Sequence, residues 1–262
     1  MFGLSDTAII KTLYEKSARH VGTKVFYDPS ASVHLSPKVQ KLEATPLPCE
    51  GLLHQKLLVI DDGLVFLGSA NLTRTSLNMH DNLMMGFYSP QVAQFLQEKA
   101  PYSTGHLKTM VAGQDLEIWL LPDPRGHALY SIRQMIRNAH KNIKVAMFTF
   151  CHPSLVQELL TAHQRGVQVS VIVDYQSGMG ASSKAIEELK KEGIPVFFNK
   201  GNKLMHHKFM CVDDKDLLLG SANWTKAAFY KNRDLFAILH NLGPEQKQFM
   251  QKLWETMKYD SQ

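Results

Sequence analysis

The sequence predicts an α/β fold. It is expected to form two pseudo-twofold-related α/β sandwich halves, each a mixed sheet flanked by helices, with the functional site at their interface. Three observations carry this expectation. The segment HQKLLVIDDGLVFLGSAN at His54 returns as HHKFMCVDDKDLLLGSAN at His206, an offset of 206 − 54 = 152, and the two GSAN tetrads keep it (220 − 68 = 152). Two further segments, starting at Met1 and Met147, repeat at 147 − 1 = 146. In each copy helical and strand periodicities alternate, as in layered helix-on-sheet domains.

The elements follow in order. MFGLSDTAIIKTLYEKSARHVGTKVFYD reads as a strand end, then a helix carrying Ile9, Ile10, Leu13 and Tyr14 on one face, then Gly22 and the short strand Val25-Phe26-Tyr27. In the second copy Leu155, Leu159, Leu160 and His163 have helical spacing and Gly166 supplies a stop. Val167, Val169, Val171 and Val173 then alternate as a strand closed by Asp174. Upstream of Met147 the second half also has LEIWLLPDP, a helical stretch from about Gly126 to His140, and a strand from Ile143 to Phe150. The first half has no counterpart, so a missing upstream segment is expected. The division is therefore 1–100 for the first half, 101–115 for a Gly/Ser/Thr-bearing linker, and 116–262 for the second half.

Composition sets outer limits. Apolar residues make up 44% of the 262, charged residues 20%, and the net charge is +5 with a pI near 9.0, an ordinary globular balance with a basic excess suited to polyanions. Cys49, Cys151 and Cys211 are too few and too widely spaced for a disulfide framework or a zinc motif. No apolar run is long enough for a transmembrane helix, and MFGLSDTAII has neither the basic start nor the cleavage site of a signal peptide. A soluble or peripheral membrane protein is expected, and an upstream segment could carry a targeting signal.

The pattern H-x-K-x-x-x-x-D occurs twice, as His54, Lys56, Asp61 and His206, Lys208, Asp213. The largely apolar residues before each aspartate mark a buried strand, on which His and Lys, two apart, point the same way. One such triplet arises by accident; two at equal spacing, each followed by G-S-A-N, do not. Ser69, Asn71, Ser221 and Asn223 are expected to bring donors to the same face. This set suits a phosphodiester. Lysine and amide donors stabilise the charge that builds on the nonbridging oxygens. One imidazole can attack phosphorus, and a second can protonate the leaving oxygen and activate water. Each histidine needs a carboxylate on its other nitrogen, and Asp81 and Asp234 are the candidates. Asp61 and Asp213 lie too far along their strands to reach the same phosphate easily, so structural hydrogen bonds are expected from them. His207 should point to the opposite face. His34, His152 and His163 are expected at the surface or satisfied in the core, and His80 is ambiguous.

These residues resemble the HKD motifs of the phospholipase D superfamily, the resemblance covers nearly the whole chain, and the second half looks closest to the cardiolipin hydrolase and endonuclease branch. The resemblance implies a two-step reaction through a phosphohistidine, no metal or other cofactor, and one site shared by two halves. It assigns His54 as nucleophile and His206 as general acid, with the reverse order open. With both motifs in one chain, a monomer could be catalytically complete.

The substrate class stays open. Leu52, Leu53, Leu204, Met205, Pro46-Leu47-Pro48 and Met179 suit a phospholipid, and the basic balance suits contact with an anionic membrane. Lys200, Lys203, Lys226, Lys231 and Arg233, with Trp224 and Tyr230, suit single-stranded nucleic acid. The readings are a phospholipase releasing phosphatidic acid, an endonuclease, and a phosphatidyltransferase or non-catalytic phosphate-binding or lipid-surface module.

Overall fold

A computed structural model describes residues 1–32, 42–201 and 203–261; His34 lies outside them. The first half contains α1 (Thr7–Ala18), β1 (Val25–Tyr27), β2 (Ala44–Pro46), β3 (Leu57–Ile60), β4 (Leu64–Gly68), α2 (Arg74–Asn78), β5 (His80–Asp81), β6 (Met84–Tyr88) and α3 (Pro90–Lys99). The chain continues with β7 (Gly105–Val111), β8 (Gln114–Leu120), α4 (His127–Arg137), β9 (Asn142–Met147), α5 (Pro153–Gln164), β10 (Gln168–Asp174), α6 (Tyr175–Met179), α7 (Ser183–Lys191) and β11 (Val196–Asn199). It ends with β12 (Leu204–Met205), β13 (Lys208–Val212), β14 (Asp216–Gly220), α8 (Lys226–Tyr230), β15 (Leu235–Leu239) and α9 (Pro244–Tyr259).

The second half is built on an eight-stranded mixed sheet in the order β11-β10-β9-β13-β14-β15-β8-β7. Strands β9, β10 and β11 are parallel and the rest antiparallel. One face buries Val145, Val171, Met210 and Ile238 against the apolar faces of α4, α5 and α7. The other face, with Ala146, Phe209, Leu219 and Ala237, shares a core with Val65 and Leu67 of the first half and with Met250 and Trp254 of α9. This shared core holds the two halves together by burial of apolar surface.

The first half is the lesser copy. Its β3-β4-β6 sheet has three strands, and β1-β2 form a separate parallel pair. In the second half β9 bridges β10 to β13. Among the described residues of the first half, Leu4, which bridges to Leu72 as Phe150 does to Trp224, occupies the corresponding place. Residues read as a linker fold differently from that expectation: Gly105–Val111 is edge strand β7, paired along its length with β8. Its outward positions carry His106, Lys108 and Met110, so its period-two pattern lacks an apolar signature. Among the described residues no helix is long and apolar enough to cross a membrane.

Candidate active site

The two motifs meet, and they meet crosswise. His54 is held in place by the second half: its backbone N–H donates to the Arg233 carbonyl (2.8 Å), and Leu53 bridges to Arg233. His206 is held by the first half: its N–H donates to the Asp81 carbonyl (2.9 Å), and β12 pairs with β5. Each catalytic candidate therefore leans on residues that lead into the last sheet strand of the other half, Arg233 before β15 and Asp81 before β6. Neither half alone would complete the site.

The same exchange sets the ring nitrogens. His54 Nδ1 lies 2.7 Å from Asp234 Oδ1, and His206 Nδ1 lies 3.0 Å from Asn82 Oδ1. The expectation for Asp234 matches this geometry; Asp81 does not sit on a histidine ring. Its backbone carbonyl receives His206 N–H, while the next residue, Asn82, supplies the ring partner. The repeat offset held the signal, since 234 − 152 = 82. Register places the residue, and in this half the residue is an amide. Asn82 is oriented by its own Nδ2, which donates to the Ser76 carbonyl (2.8 Å), so its oxygen faces His206 and accepts from Nδ1–H.

The GSAN turns serve this arrangement. A Cβ at Gly68 would lie 2.2 Å from the Leu83 carbonyl oxygen, and one at Gly220 would lie 2.4 Å from that of Leu235, so both positions require glycine. Ser69 and Ser221 are almost fully buried. Their hydroxyls donate to Asn82 Oδ1 (3.0 Å) and Asp234 Oδ1 (2.6 Å), and accept from Leu83 and Leu235 N–H (both 3.0 Å). The structure thus gives these serines to the orienting residues rather than to an open phosphate site. Asn71 Oδ1 accepts from Gly3 N–H (3.3 Å), and Asn223 Oδ1 is buried without a hydrogen-bond partner.

Lys56 and Lys208 are fully buried, and each ammonium donates to the carbonyl of its own histidine, Lys56 to His54 (2.7 Å) and Lys208 to His206 (2.9 Å). Two aromatic rings missed in the sequence wall the site symmetrically. Phe2 meets His54 edge-on at 5.0 Å with Lys56 Nζ 4.8 Å above it, and Phe148 meets His206 at 5.0 Å with Lys208 Nζ at 4.9 Å. Both follow the methionines that start the 146-residue repeat, which was the available signal. His80 stands 6.0 Å from the His206 ring.

Asp61 and Asp213 occupy left-handed turns (φ 52° and 55°), a conformation aspartate tolerates. The Asp213 carboxylate accepts N–H groups from His140, Lys141 and Asn142, at 2.7 Å for Lys141, a structural clasp far from the phosphate face. His207 is buried and packs on Phe209. His152 is buried beside Phe229 with neither ring nitrogen partnered. Of the basic and aromatic residues near the second motif, Trp224 is core, packed on Phe150, and Arg233 is tied to the Pro101 carbonyl (2.6 Å). Of the apolar flank, Leu53 and Met205 are core, while Leu52 and Met179 are exposed.

Electrostatically the enclosure is short of anions. Burial and then Lys56 lower the His54 pKa, against the opposing pull of Asp234. Burial, then Lys208 and Lys56, lower that of His206, which has no carboxylate. Burial lowers Lys56 to about 7 and pushes Lys208 well below its ordinary value, with Lys56 contributing. Burial would raise Asp234, but His54, Lys56 and Ser221 outweigh it and hold the carboxyl low. Four cationizable groups gather around Asp234, with Asp28 acting on Lys56 and Asp174 on Lys208 without overcoming burial, and a phosphate would add negative charge between them.

Such a site, two His-Lys pairs closed around one point by a repeated fold, defines the class of phospholipase D-like proteins. Residues 1–101 and 132–260 match the family described as "Cardiolipin synthase, PLD-like domain", and the chain belongs to that family within the phospholipase D superfamily. It is 38% identical over 125 residues to a mitochondrial cardiolipin hydrolase of Xenopus laevis, a match covering 47% of this chain and 58% of that protein. The matches to this and to the other vertebrate cardiolipin hydrolases span less than two thirds of those proteins' length. Among solved structures, Nuc from Salmonella typhimurium, a phospholipase D family member, aligns with TM-score 0.51 and 26% identity over 56% of this chain and 95% of its own. A phosphatidylserine synthase from Haemophilus influenzae Rd KW20 aligns over 99% of this chain and 79% of its own with TM-score 0.71 at 15% identity, a likeness of fold that includes both halves.

Proposed function

We propose that this chain is a metal-independent phosphodiesterase that hydrolyses a phospholipid to phosphatidic acid through a phosphohistidine. The observation that carries the reading is the crosswise pair of histidines, each with Nδ1 engaged by the opposite half so that Nε2 is free to face the phosphorus. The unequal partners support unequal roles. A phosphorylated imidazole carries positive charge, and Asp234 stabilises it on His54, so His54 is the nucleophile. His54 Nε2 attacks phosphorus, the bond to the leaving oxygen breaks, and His206 gives that oxygen its proton. Water then attacks phosphorus, the P–N bond breaks, and His206 takes the water's proton. Lys56 and Lys208, with Asn71 and Asn223 as further donors, balance the charge on the nonbridging oxygens. The anionic substrate supplies the charge that lets His206 hold its proton. One chain contains every group this scheme requires.

Lipid as substrate is supported by the cardiolipin hydrolases among its relatives and by exposed Leu52, two residues before His54, and Met79, next to the β5 strand that pairs with β12 before His206. The net charge of +5 favours peripheral contact with an anionic membrane. Nucleic acid is the second reading, motivated by the likeness to Nuc, although Trp224 and Arg233 are engaged elsewhere. The deciding assay compares wild type, His206→Ala and His163→Ala, with chelator present, on cardiolipin and phosphatidylcholine vesicles and on single-stranded DNA and RNA. Phosphatidic acid released by wild type and His163→Ala, and not by His206→Ala, is the expected result. Cleaved nucleic acid with intact lipid would replace the lipid reading.

A further inference from the structure

The twofold relation between the halves breaks beside the two histidines, at two positions on one strand face. His54 is served by Asn232 and Asp234; at the offset of 152, His206 has His80 and Asn82. Residues two apart on an extended segment point to one face, and Asn82 fixes that face as the one turned to the His206 ring. The twins Asn232 and His80 are engaged differently. Asn232 is tied into the fold: its Oδ1 accepts Leu52 N–H (3.1 Å) and its Nδ2 lies 3.5 Å from Asp234 Oδ2. His80 is held by its backbone, paired with Leu204, and its carbonyl accepts from Asn82 Nδ2 (3.3 Å). The half-buried ring of His80 has its Nδ1 enclosed and without a hydrogen bond among the described residues.

The rings of His80 and His206 stand 6.0 Å apart between centroids. That spacing is too long for a direct bond between their nitrogens and suits one oxygen atom shared by both. Phe148, which also meets the His206 ring, at 5.0 Å, offers no polar atom. Burial, then Lys208, hold His80 below the ordinary histidine range against the pull of Asp81, so the ring is neutral and one of its nitrogens is an acceptor. An enclosed acceptor beside an acid–base imidazole is a place for a hydroxyl hydrogen.

Resting on the phosphodiesterase reading above, we propose that His80 is a further catalytic residue, which holds the attacking water through Nδ1 and so directs the phosphohistidine to hydrolysis rather than to transfer onto an alcohol. Water brings two hydrogens. One goes to His206 as the oxygen attacks phosphorus and the P–N bond to His54 breaks. The other is held by His80 and stays on the oxygen that joins the phosphate. An alcohol in the same place has a single hydrogen, which His206 takes, and a carbon where His80 offers its lone pair. His80 therefore favours water in the second step and gives nothing to the first, whose leaving oxygen also carries a carbon. On the nucleophile's side no water is activated, and the twin position holds a structural amide.

The test is a partition experiment on bis(p-nitrophenyl) phosphate, and on cardiolipin in detergent micelles, with a fixed concentration of ethanol. Chromatography separates the hydrolysis product from the ethyl ester. Their ratio is set after the intermediate forms, so it is independent of the fraction of active protein and of the step that limits turnover. Wild type is compared with His80→Phe and His80→Ala, which remove the nitrogens with and without the ring, and with His80→Asn, which puts an amide oxygen in place of Nδ1. His80→Phe and His80→Ala are expected to shift the ratio toward the ethyl ester by about tenfold, the scale of one lost hydrogen bond to a reacting group. On the nitrophenyl ester they should also show a burst of p-nitrophenol before slow turnover. His80→Asn should restore most of the preference for water. A ratio unmoved by His80→Phe and His80→Ala, or moved as far by His80→Asn, would overturn the role of His80 and leave the phosphodiesterase reading standing. Wild type inert on both esters would overturn that reading and the role of His80 with it.

Discussion

Replacing Lys56 by methionine should stabilise the protein while abolishing its chemistry. Lys56 is fully buried, and its pKa falls from 10.5 to about 7 because burial penalises the ammonium. At about 1.4 kcal/mol per pH unit, that difference costs the folded state about 5 kcal/mol when the lysine is protonated in both states. Methionine keeps the apolar stem but loses the bond to the His54 carbonyl and the contact with Phe2, together worth about 2 kcal/mol. Asp234 keeps His54 and Ser221 as partners. The net gain is about 3 kcal/mol at pH 6, or roughly 6 to 10 °C in Tm for a chain of this size. The sign with pH is definite. The folded pKa lies below the unfolded one, so the unfolded state binds more protons between pH 7 and 10.5, and wild-type stability rises through that window. The advantage of Lys56→Met should shrink to near zero by pH 9.5. Urea unfolding of both proteins at pH 6 and pH 9.5 reads this directly. A variant less stable than wild type at pH 6, or an advantage independent of pH, would refute the claim that the site stores electrostatic strain.

Further outcomes follow from the same geometry. Asp234→Asn should lower kcat by about 10³ to 10⁴, the usual scale for losing an orienting carboxylate. Asn82→Asp should carry the alkaline limb of the pH–rate profile to higher pH, because His206 would gain the carboxylate it lacks; a profile unmoved by Asn82→Asp would deny Asn82 its positioning role. Tungstate, whose charge is constant over the range, should bind about tenfold more weakly at pH 8.5 than at pH 7 as Lys56 deprotonates, and calorimetric affinities independent of pH would contradict this. Asp213→Ala should cost about 1 to 2 kcal/mol by releasing three backbone N–H groups at a partly exposed site. The Asp213 pKa is depressed below 3.8, burial being outweighed by those N–H groups, so its stabilisation is present above 3.8 and lost as pH falls through the folded pKa. Acid titration of both proteins should show their stabilities converging.

Much of this site was legible because the chain states it twice. The offset of 152 pairs His54 with His206 and Lys56 with Lys208, and strand alternation puts each His and Lys on one face. The orienting residue was misplaced at Asp81 because residue type was sought where register decides: Asn82 stands at the offset from Asp234 and fills its place with an amide. The serines were assigned to phosphate because sequence cannot show that Ser69 and Ser221 are enclosed by Leu83 and Leu235. Trp224 read as a possible base platform, yet it packs on Phe150 in the core, a contact between residues 74 apart that no local pattern encodes. Strand β7 was hidden by the charged and polar residues of its solvent face. The crosswise support of the two histidines is a tertiary fact, and the repeat indicated only that two equivalent supports should exist.

The most direct test of the account is to locate the covalent intermediate. Bis(p-nitrophenyl) phosphate has a leaving group that departs without protonation, so His206→Ala should release one equivalent of p-nitrophenol and stall, with the phosphoryl adduct held on His54 and found there by peptide mass spectrometry. An adduct on another residue in that variant, or steady turnover by His54→Ala, would contradict the assignment of His54 as nucleophile in a site closed by both halves.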